Sequence, residues 1–227
     1  LISLSEKYKG YEWKDWHRTL VDRDQQRQDI ILNQSAVKTE FINPLKICTA
    51  IDQHTRKGDI IIADGGDFVA TASYIVRPRS IGGWLDPGVF GTLGVGAGFI
   101  LGAQVTHPKS IIWAIYGDGA FGYSLIEFDT FVRHKIPVIA VIGNDAGWTQ
   151  IERDQVAILK DPVSTTLAHT KYHDAVIALG GIGFFLEHED DISSIFLQAR
   201  QSAEEGNAVV INVKIGKTDF RKGSISI

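Results

Sequence analysis

An α/β fold is what this sequence predicts: three α/β/α layers, with helices on both faces of a mainly parallel central sheet. Two observations lead there. Short continuous apolar runs, the mark of strands buried on both faces, alternate with stretches whose apolar residues recur at helical spacing. Each of these runs gives way to turn residues such as Gly65-Gly66, Gly117-Asp118-Gly119 or Asn144-Asp145. Strands alternating with helices indicate crossover units and a parallel sheet. A third observation, the 227-residue length, suits one domain with a full core, or one domain plus a fragment.

Residues 1–37 differ in texture from the rest. Trp13 and Trp16 precede a polar, helix-compatible run through Arg18, Asp22, Arg23, Asp24 and Arg27. The stretch reads equally as the tail of a preceding domain or linker helix and as a surface helix of the same domain. The domain proper is expected over 38–227. Asn43 is placed to cap a helix with Pro44 at its first position, carrying Leu45, Ile47, Cys48 and Ile51 and ending by Gly58. Asp59 to Asp64 is a buried strand leading into Gly65-Gly66. Leu93 to Val105 is a tightly packed helix rich in glycine. Ile111 to Tyr116 is a strand, and Ser124 to His134 a helix with Leu125, Phe128 and Val132 on one face. Pro137 to Gly143 is the next strand. Helices over Tyr172–Leu179 and Asp191–Ala203 precede a last buried strand, Ala208 to Val213.

Composition narrows the function classes. Lys and Arg total 23 against 27 Asp and Glu, a net charge of −4, and no long basic run offers a footprint for nucleic acid. The apolar stretches are short and interrupted, which excludes a membrane span within these residues. The single Cys48 rules out an internal disulfide framework and reads as a buried structural thiol. The chain begins with Leu and contains no Met, so it reads as a piece of a longer polypeptide.

In open α/β sheets ligands bind beyond the carboxyl ends of the strands. Three segments lie there: Asp64 to Phe68, Gly117 to Gly122, and Asn144 to Trp148. The middle one, YGDGAFGY, contains G-x-G-x-x-G, the spacing of a dinucleotide turn, which alone is weak. Asp118 inside it argues against a bare pyrophosphate. At about 4 Å and an effective dielectric near 20, like charges repel by roughly 4 kcal/mol. A divalent cation reverses the sign, because Mg²⁺ takes one or two carboxylates together with phosphate oxygens. Gly119 and Ala120 then still offer backbone N–H groups to the phosphate. The crossover to the next strand brings Asp145 to the same edge of the sheet, where it and Asp118 can face one ion. The plainer alternative is a pair of solvated loop aspartates.

The glycines of Asp86 to Gly98 permit close backbone approach, or close packing of helix on sheet. The seven histidines are scattered. Only His169 and His173 have a ligand-like spacing, and no HExxH surrounds them. Ser164-Thr165-Thr166 has no nucleophile elbow. Trp148, just past Asn144-Asp145, is placed to wall a pocket or to meet a partner.

"GDG", 24 residues (Ala120 to Gly143), then Asn144-Asp145, resembles the thiamine-diphosphate motif of GDG followed some two dozen residues later by NN. Leu101-Gly102 and Pro108, ahead of the strand into Gly117-Asp118-Gly119-Ala120, fit the same signature. On these residues the chain, from about residue 40 onward, is similar to the carboxyl-terminal, diphosphate-binding domain of the acetolactate synthase and benzaldehyde lyase superfamily. "GDGAFGYSLIEFDTFVRHKIPV" and "GNDAGWTQIERDQV" look closest to its acetolactate synthase-like group. The closing "IGKTDFRKGSISI" resembles that group's carboxyl terminus, so a natural end is expected there.

The resemblance implies thiamine diphosphate and Mg²⁺ as cofactors. It implies Asp118, Asp145 and the Gly147 carbonyl as metal ligands. Asp145 stands where the superfamily usually has Asn, which adds a negative charge and predicts stricter dependence on metal. Asn144 falls among the cofactor contacts, and Asp67 and Phe68 approach the diphosphate. Gly91 offers its carbonyl to the aminopyrimidine, while Leu93 is the apolar wedge beneath the bent cofactor. The implied activity of the full-length protein is lyase cleavage of a 2-hydroxyacyl-CoA to a shortened aldehyde and formyl-CoA. Acetolactate-type condensation of 2-keto acids and a non-catalytic nucleotide-binding module are the alternatives. The activating glutamate is implied on a pyrimidine-binding domain, from a second subunit or an N-terminal region, with no stretch of this chain resembling it. Glu127 defaults to structure. A homo-oligomer, an acyl-CoA substrate and an intracellular setting complete the expectation, at the endoplasmic reticulum membrane through a segment outside this chain.

Overall fold

The structure, a computed structural model, describes residues 12–223. The chain divides into two compact units, Leu1–Val37 and Lys38–Ile227. In the first, helix α1 spans Lys14–Ser35 and is polar along most of its length, braced by i,i+4 contacts such as Gln25 Nε2 to Asp29 at 3.0 Å.

The second unit is built on six strands: β1 (Ile60–Asp64), β2 (Trp84–Leu85), β3 (Ile112–Gly117), β4 (Val138–Asn144), β5 (Ile182–Leu186) and β6 (Ala208–Lys214). They form one sheet in the order β2-β1-β3-β4-β6-β5, and every pairing is parallel. β1, β4 and nearly all of β3 and β6 are buried, which is why they read as unbroken apolar runs. Register aligns their ends. Asp64 lies opposite Tyr116, Gly117 opposite Gly143, and Asn144 opposite Lys214.

Helices cover both faces. Helix α2 (Pro44–His54) is capped by Asn43, whose side chain accepts from the Leu45 N–H at 3.0 Å, with Pro44 at its first position. It ends at His54 rather than at Gly58, because Thr55 is already extended and Gly58 sits in the turn before β1 at φ 94°. α2 packs with α9 (Ile192–Glu204) and α3 (Asp67–Ala72) on one face. There Trp113 stacks on Phe196 at 6.0 Å, and the buried Asp59 accepts from the Trp113 indole and from Arg200. Cys48 is fully buried in this layer, and burial pushes its thiol pKa up, so it is inert packing as expected.

The other face carries α4 (Gly96–Thr106), α5 (Asp118–Ser124), α6 (Glu127–Arg133) and α8 (Tyr172–Ala178). Tyr116, Phe121, Phe128, Phe131 and Tyr172 form a chain of edge-to-face aromatic contacts at 5.1–5.6 Å beneath them. Burying each such ring contributes about 1.5–3 kcal/mol. The helix expected over Ser124–His134 is found shorter, as α6 (Glu127–Arg133), and a separate short helix, α5, precedes it. Helix α5 begins at Asp118 because Gly117 is extended and the chain turns straight from strand into helix. α4 starts at Gly96, later than Leu93, because the preceding residues form the turn described below. Two strands and a helix escape the apolar pattern. β2 is two residues long, the edge strand β5 is mostly half-exposed, and α7 (Thr149–Leu159) buries no residue.

Candidate functional site

The aligned ends of β1, β3 and β4 open onto a cavity of about 400 Å³. Its lining includes Asp67, Phe68, Gly91, Leu93, Asp118, Gly119, Ala120, Asp145 and Gly147, so nine of the ten residues expected at a cofactor or metal are brought together. Asn144 is the exception. Its amide is turned inward, donating to the Thr170 carbonyl and to Asn212 Oδ1, both at 3.1 Å, while its Oδ1 faces His169 at 3.3 Å. The residue is buried beneath the loop rather than in the lining, so its side chain braces the ends of β4 and β6 instead of facing a ligand. His169 and His173 belong to this same polar network, His173 through Asn212 at 3.2 Å.

The turn after β1 is set by close approach. Gly65 adopts φ 151°, and a Cβ there would stand 2.7 Å from the backbone nitrogen of Gly117, so the two strand-end turns press together with no room for a side chain. Phe68 is buried behind them, and Asp67 is tied to Arg153 by an ion pair at 2.6 Å. Trp148 caps the other side. Its N–H donates to the Thr165 carbonyl at 2.8 Å, and its ring lies so close over Gly119 that a Cβ there would meet three ring carbons at 2.4–2.7 Å. Trp148 thus walls the cavity.

Asp118 and Asp145 are the electrostatic centre. Asp118 is only 2% exposed, one oxygen accepts the Gly119 N–H at 2.8 Å, and the other, Oδ2, is buried with no hydrogen-bond partner among the described residues. Burial, then the nearby Asp145 charge, pushes its carboxyl up to about 7, against the pull of the Gly119 and Gly147 amides. Asp145 is also raised, first by burial. The Thr149 hydroxyl, 2.6 Å from its Oδ2, and the charge of Lys217 oppose the rise. A buried orphan carboxylate oxygen beside a second carboxylate is costly in the protein alone. A hard divalent cation, which prefers oxygen ligands, relieves both costs at once. Among the described residues no group of three or more His, Cys, Asp and Glu side chains gathers, so such an ion has to complete its shell from backbone carbonyls, water or ligand oxygens.

Three contributors were not foreseen from sequence. Asp64, fully buried at the end of β1, accepts from the Gly94 N–H at 3.1 Å and the Gly96 N–H at 2.8 Å, tying down the turn that carries Gly91 and Leu93 and the start of α4. Burial raises its carboxyl pKa, and the amides of Gly96, Gly94 and Val95 oppose this. The signal was there in an acid ending an apolar strand, one crossover ahead of a glycine-rich helix start. Tyr172 holds the Asp118 carbonyl through its hydroxyl at 3.0 Å, and Arg153 holds Asp67; neither carries a sequence signature.

Known proteins resemble the chain in sequence and in fold. The family "Thiamine pyrophosphate enzyme, C-terminal TPP binding domain" matches residues 64–213. "2-hydroxyacyl-CoA lyase 2" of Mus musculus is 48% identical over 231 aligned positions, covering 100% of this chain and 37% of its own length. A "Probable acetolactate synthase" of Mycobacterium bovis is 31% identical over 175, covering 77% of this chain and 32% of its own length. Among solved structures, the Rhodococcus jostii RHA1 thiamine diphosphate-dependent 4-hydroxybenzoylformate decarboxylase superposes with a TM-score of 0.70 at 15% identity, over 81% of this chain and 34% of that one. The chain therefore spans about a third of the length of the curated relatives it matches.

Proposed function

The chain belongs to the thiamine pyrophosphate enzymes, as their C-terminal TPP-binding domain, and from that premise we propose that it holds the metal and diphosphate of a 2-hydroxyacyl-CoA lyase. The observation that carries the reading is the buried pair Asp118 and Asp145, with an orphan oxygen, at the ends of adjacent parallel strands. In this reading both carboxylates and the Gly147 carbonyl hold Mg²⁺. Ala120 presents its N–H group to the diphosphate, Gly119, whose N–H the Asp118 carboxylate engages at 2.8 Å, lies next to it, and Asp67 and Phe68 stand beside it at the start of α3. Gly91 and Leu93 face the aminopyrimidine, on the turn that Asp64 fixes. Trp148, whose ring lies over Gly119, would cover this side of the site. Thiamine diphosphate, when bound, supplies the nucleophilic carbon and electron sink that these side chains lack.

The bond cleaved is C1–C2 of a 2-hydroxyacyl-CoA, giving an aldehyde one carbon shorter and formyl-CoA. The proton transfer that activates the aminopyrimidine belongs to a glutamate of a pyrimidine-binding domain, supplied by the rest of the protein or by a second subunit in a homo-oligomer. Residues 1–37 serve as the tail of a preceding domain or as a linker helix, and 38–227 as the cofactor domain. None of the described helices is long and apolar enough to cross a membrane. An endoplasmic reticulum location is proposed through a segment outside this chain. The 31% relative supports a second reading, condensation of 2-keto acids on the same cofactor half-site. Product analysis of the full-length protein separates the two. Calorimetry tests the premise: thiamine diphosphate is expected to bind with Mg²⁺ and not with chelator, and NAD binding without metal would overturn it.

A further inference from the structure

Arg221 lies in the turn after β6, within the closing segment and outside the residues assigned to cofactor or metal, and reaches back to the same cavity. The residue is 7% exposed, yet its Nε is buried and has no hydrogen-bond partner among the described residues. Its nearest acid, Asp67, stands at 3.9 Å, beyond hydrogen-bond reach, and is already engaged by Arg153 at 2.6 Å. The guanidinium is held in place by Tyr74, over whose ring it lies at 5.6 Å, and Phe220 packs edge-on against that same ring at 5.9 Å. A buried guanidinium with a spare donor is costly unless something else satisfies it.

We propose that Arg221 is the cavity's recognition residue for a phosphate oxyanion. A guanidinium matches phosphate oxygens through several fixed N–H donors, and its charge offsets the acids that share the lining, Asp67, Asp118 and Asp145. Its position beside Asp67 puts it next to the Gly65-Gly66 turn, which presses on Gly117 at the head of the Gly117–Ala120 turn. That adjacency favours the diphosphate of the cofactor over the nucleotide phosphates of an acyl-CoA. The inference rests on the thiamine-diphosphate reading above and extends it to a residue outside the signature.

The test uses the full-length protein with R221Q and R221K. Calorimetry with Mg²⁺ compares thiamine diphosphate, inorganic pyrophosphate and unphosphorylated thiamine. The expected result is a ~10- to 100-fold loss of affinity for both phosphate-bearing ligands in R221Q, with a smaller loss in R221K and none for thiamine. If cofactor affinity is unchanged but KM rises for an acyl-CoA and not for the matching acyl-pantetheine, the oxyanion belongs to the substrate and the recognition role stands. Unchanged cofactor affinity and unchanged KM in both variants overturn it, as does an equal loss for thiamine. Should R221Q fail to fold, R221K carries the same comparison. Failure of the wild-type protein to bind thiamine diphosphate would instead sink the parent reading.

Discussion

Asp64→Ala is the perturbation that reaches from the fold into the site. The Asp64 carboxylate accepts the Gly94 and Gly96 amides at 3.1 and 2.8 Å from a fully buried position. Hydrogen bonds to a charged group contribute about 1.5–3 kcal/mol each, so losing two removes roughly 3–6 kcal/mol. Relief from keeping a carboxylate out of water offsets part of this, and burial is what raises its pKa. A net loss of about 2–4 kcal/mol follows, on the scale of breaking a buried polar network. Asp64→Asn keeps one acceptor oxygen and is expected to lose about half as much. Urea unfolding gives the global figure, and amide hydrogen exchange at Gly94 and Gly96 localises it. Both amides are expected to exchange faster by more than an order of magnitude, and cofactor affinity to fall with them. An unchanged urea midpoint, with exchange at both amides within about twofold of wild type, would refute the claim that one carboxylate holds this turn.

Gly119→Ala drives a methyl into the Trp148 ring and is expected to cost about 1–3 kcal/mol and to weaken diphosphate binding, read by thermal unfolding and calorimetry. Asp145→Asn removes the like charge beside Asp118. The metal-free chain should become more stable, and thiamine diphosphate retention should depend less steeply on Mg²⁺; identical Mg²⁺ titrations for variant and wild type would count against this. Arg200 holds the Glu204 carboxyl below its ordinary value, so this group's stabilisation is present at neutral pH and is lost as pH falls through the folded-state pKa. The urea midpoints of wild type and Glu204→Gln should therefore differ near pH 7 and converge below the ordinary glutamate range. The isolated chain is expected to show no lyase turnover even when loaded with cofactor and Mg²⁺, because no glutamate here is assigned to the aminopyrimidine; measurable formyl-CoA from it would overturn that expectation.

Legibility followed burial. β1, β3, β4 and β6 are sealed on both faces, so nothing polar interrupts them and their ends could be placed to within a residue or two. β5 sits at the sheet edge and α7 buries no residue, and where positions are half-exposed they admit any residue, so the pattern vanished. Within the cavity, residues fixed by backbone geometry were visible as motif, from Gly117 to Ala120 and at Gly147. Asn144 belonged to the motif too, but its neighbours in space, Thr170 and Asn212, lie 26 and 68 residues away in sequence, and only the fold reveals that its amide turns inward. Arg221 was hidden for the same reason. Its burial depends on Tyr74 and Phe220, and no local spacing announces a contact between a carboxyl-terminal turn and the cavity.

The paired acids at 118 and 145 have an evolutionary corollary. In the empty fold they are a liability, desolvated and mutually repelling, and substitution of either by an amide eases the strain. Drift in a duplicate released from cofactor binding is accordingly expected to erode this pair early, if losing it raises stability as predicted for Asp145→Asn, while most other buried changes lower it. Among descendants of this domain, then, retention of Asp118 together with an acid or amide at 145 is the expected trace of continued cofactor binding, and loss of the acid at 118 the expected trace of its end.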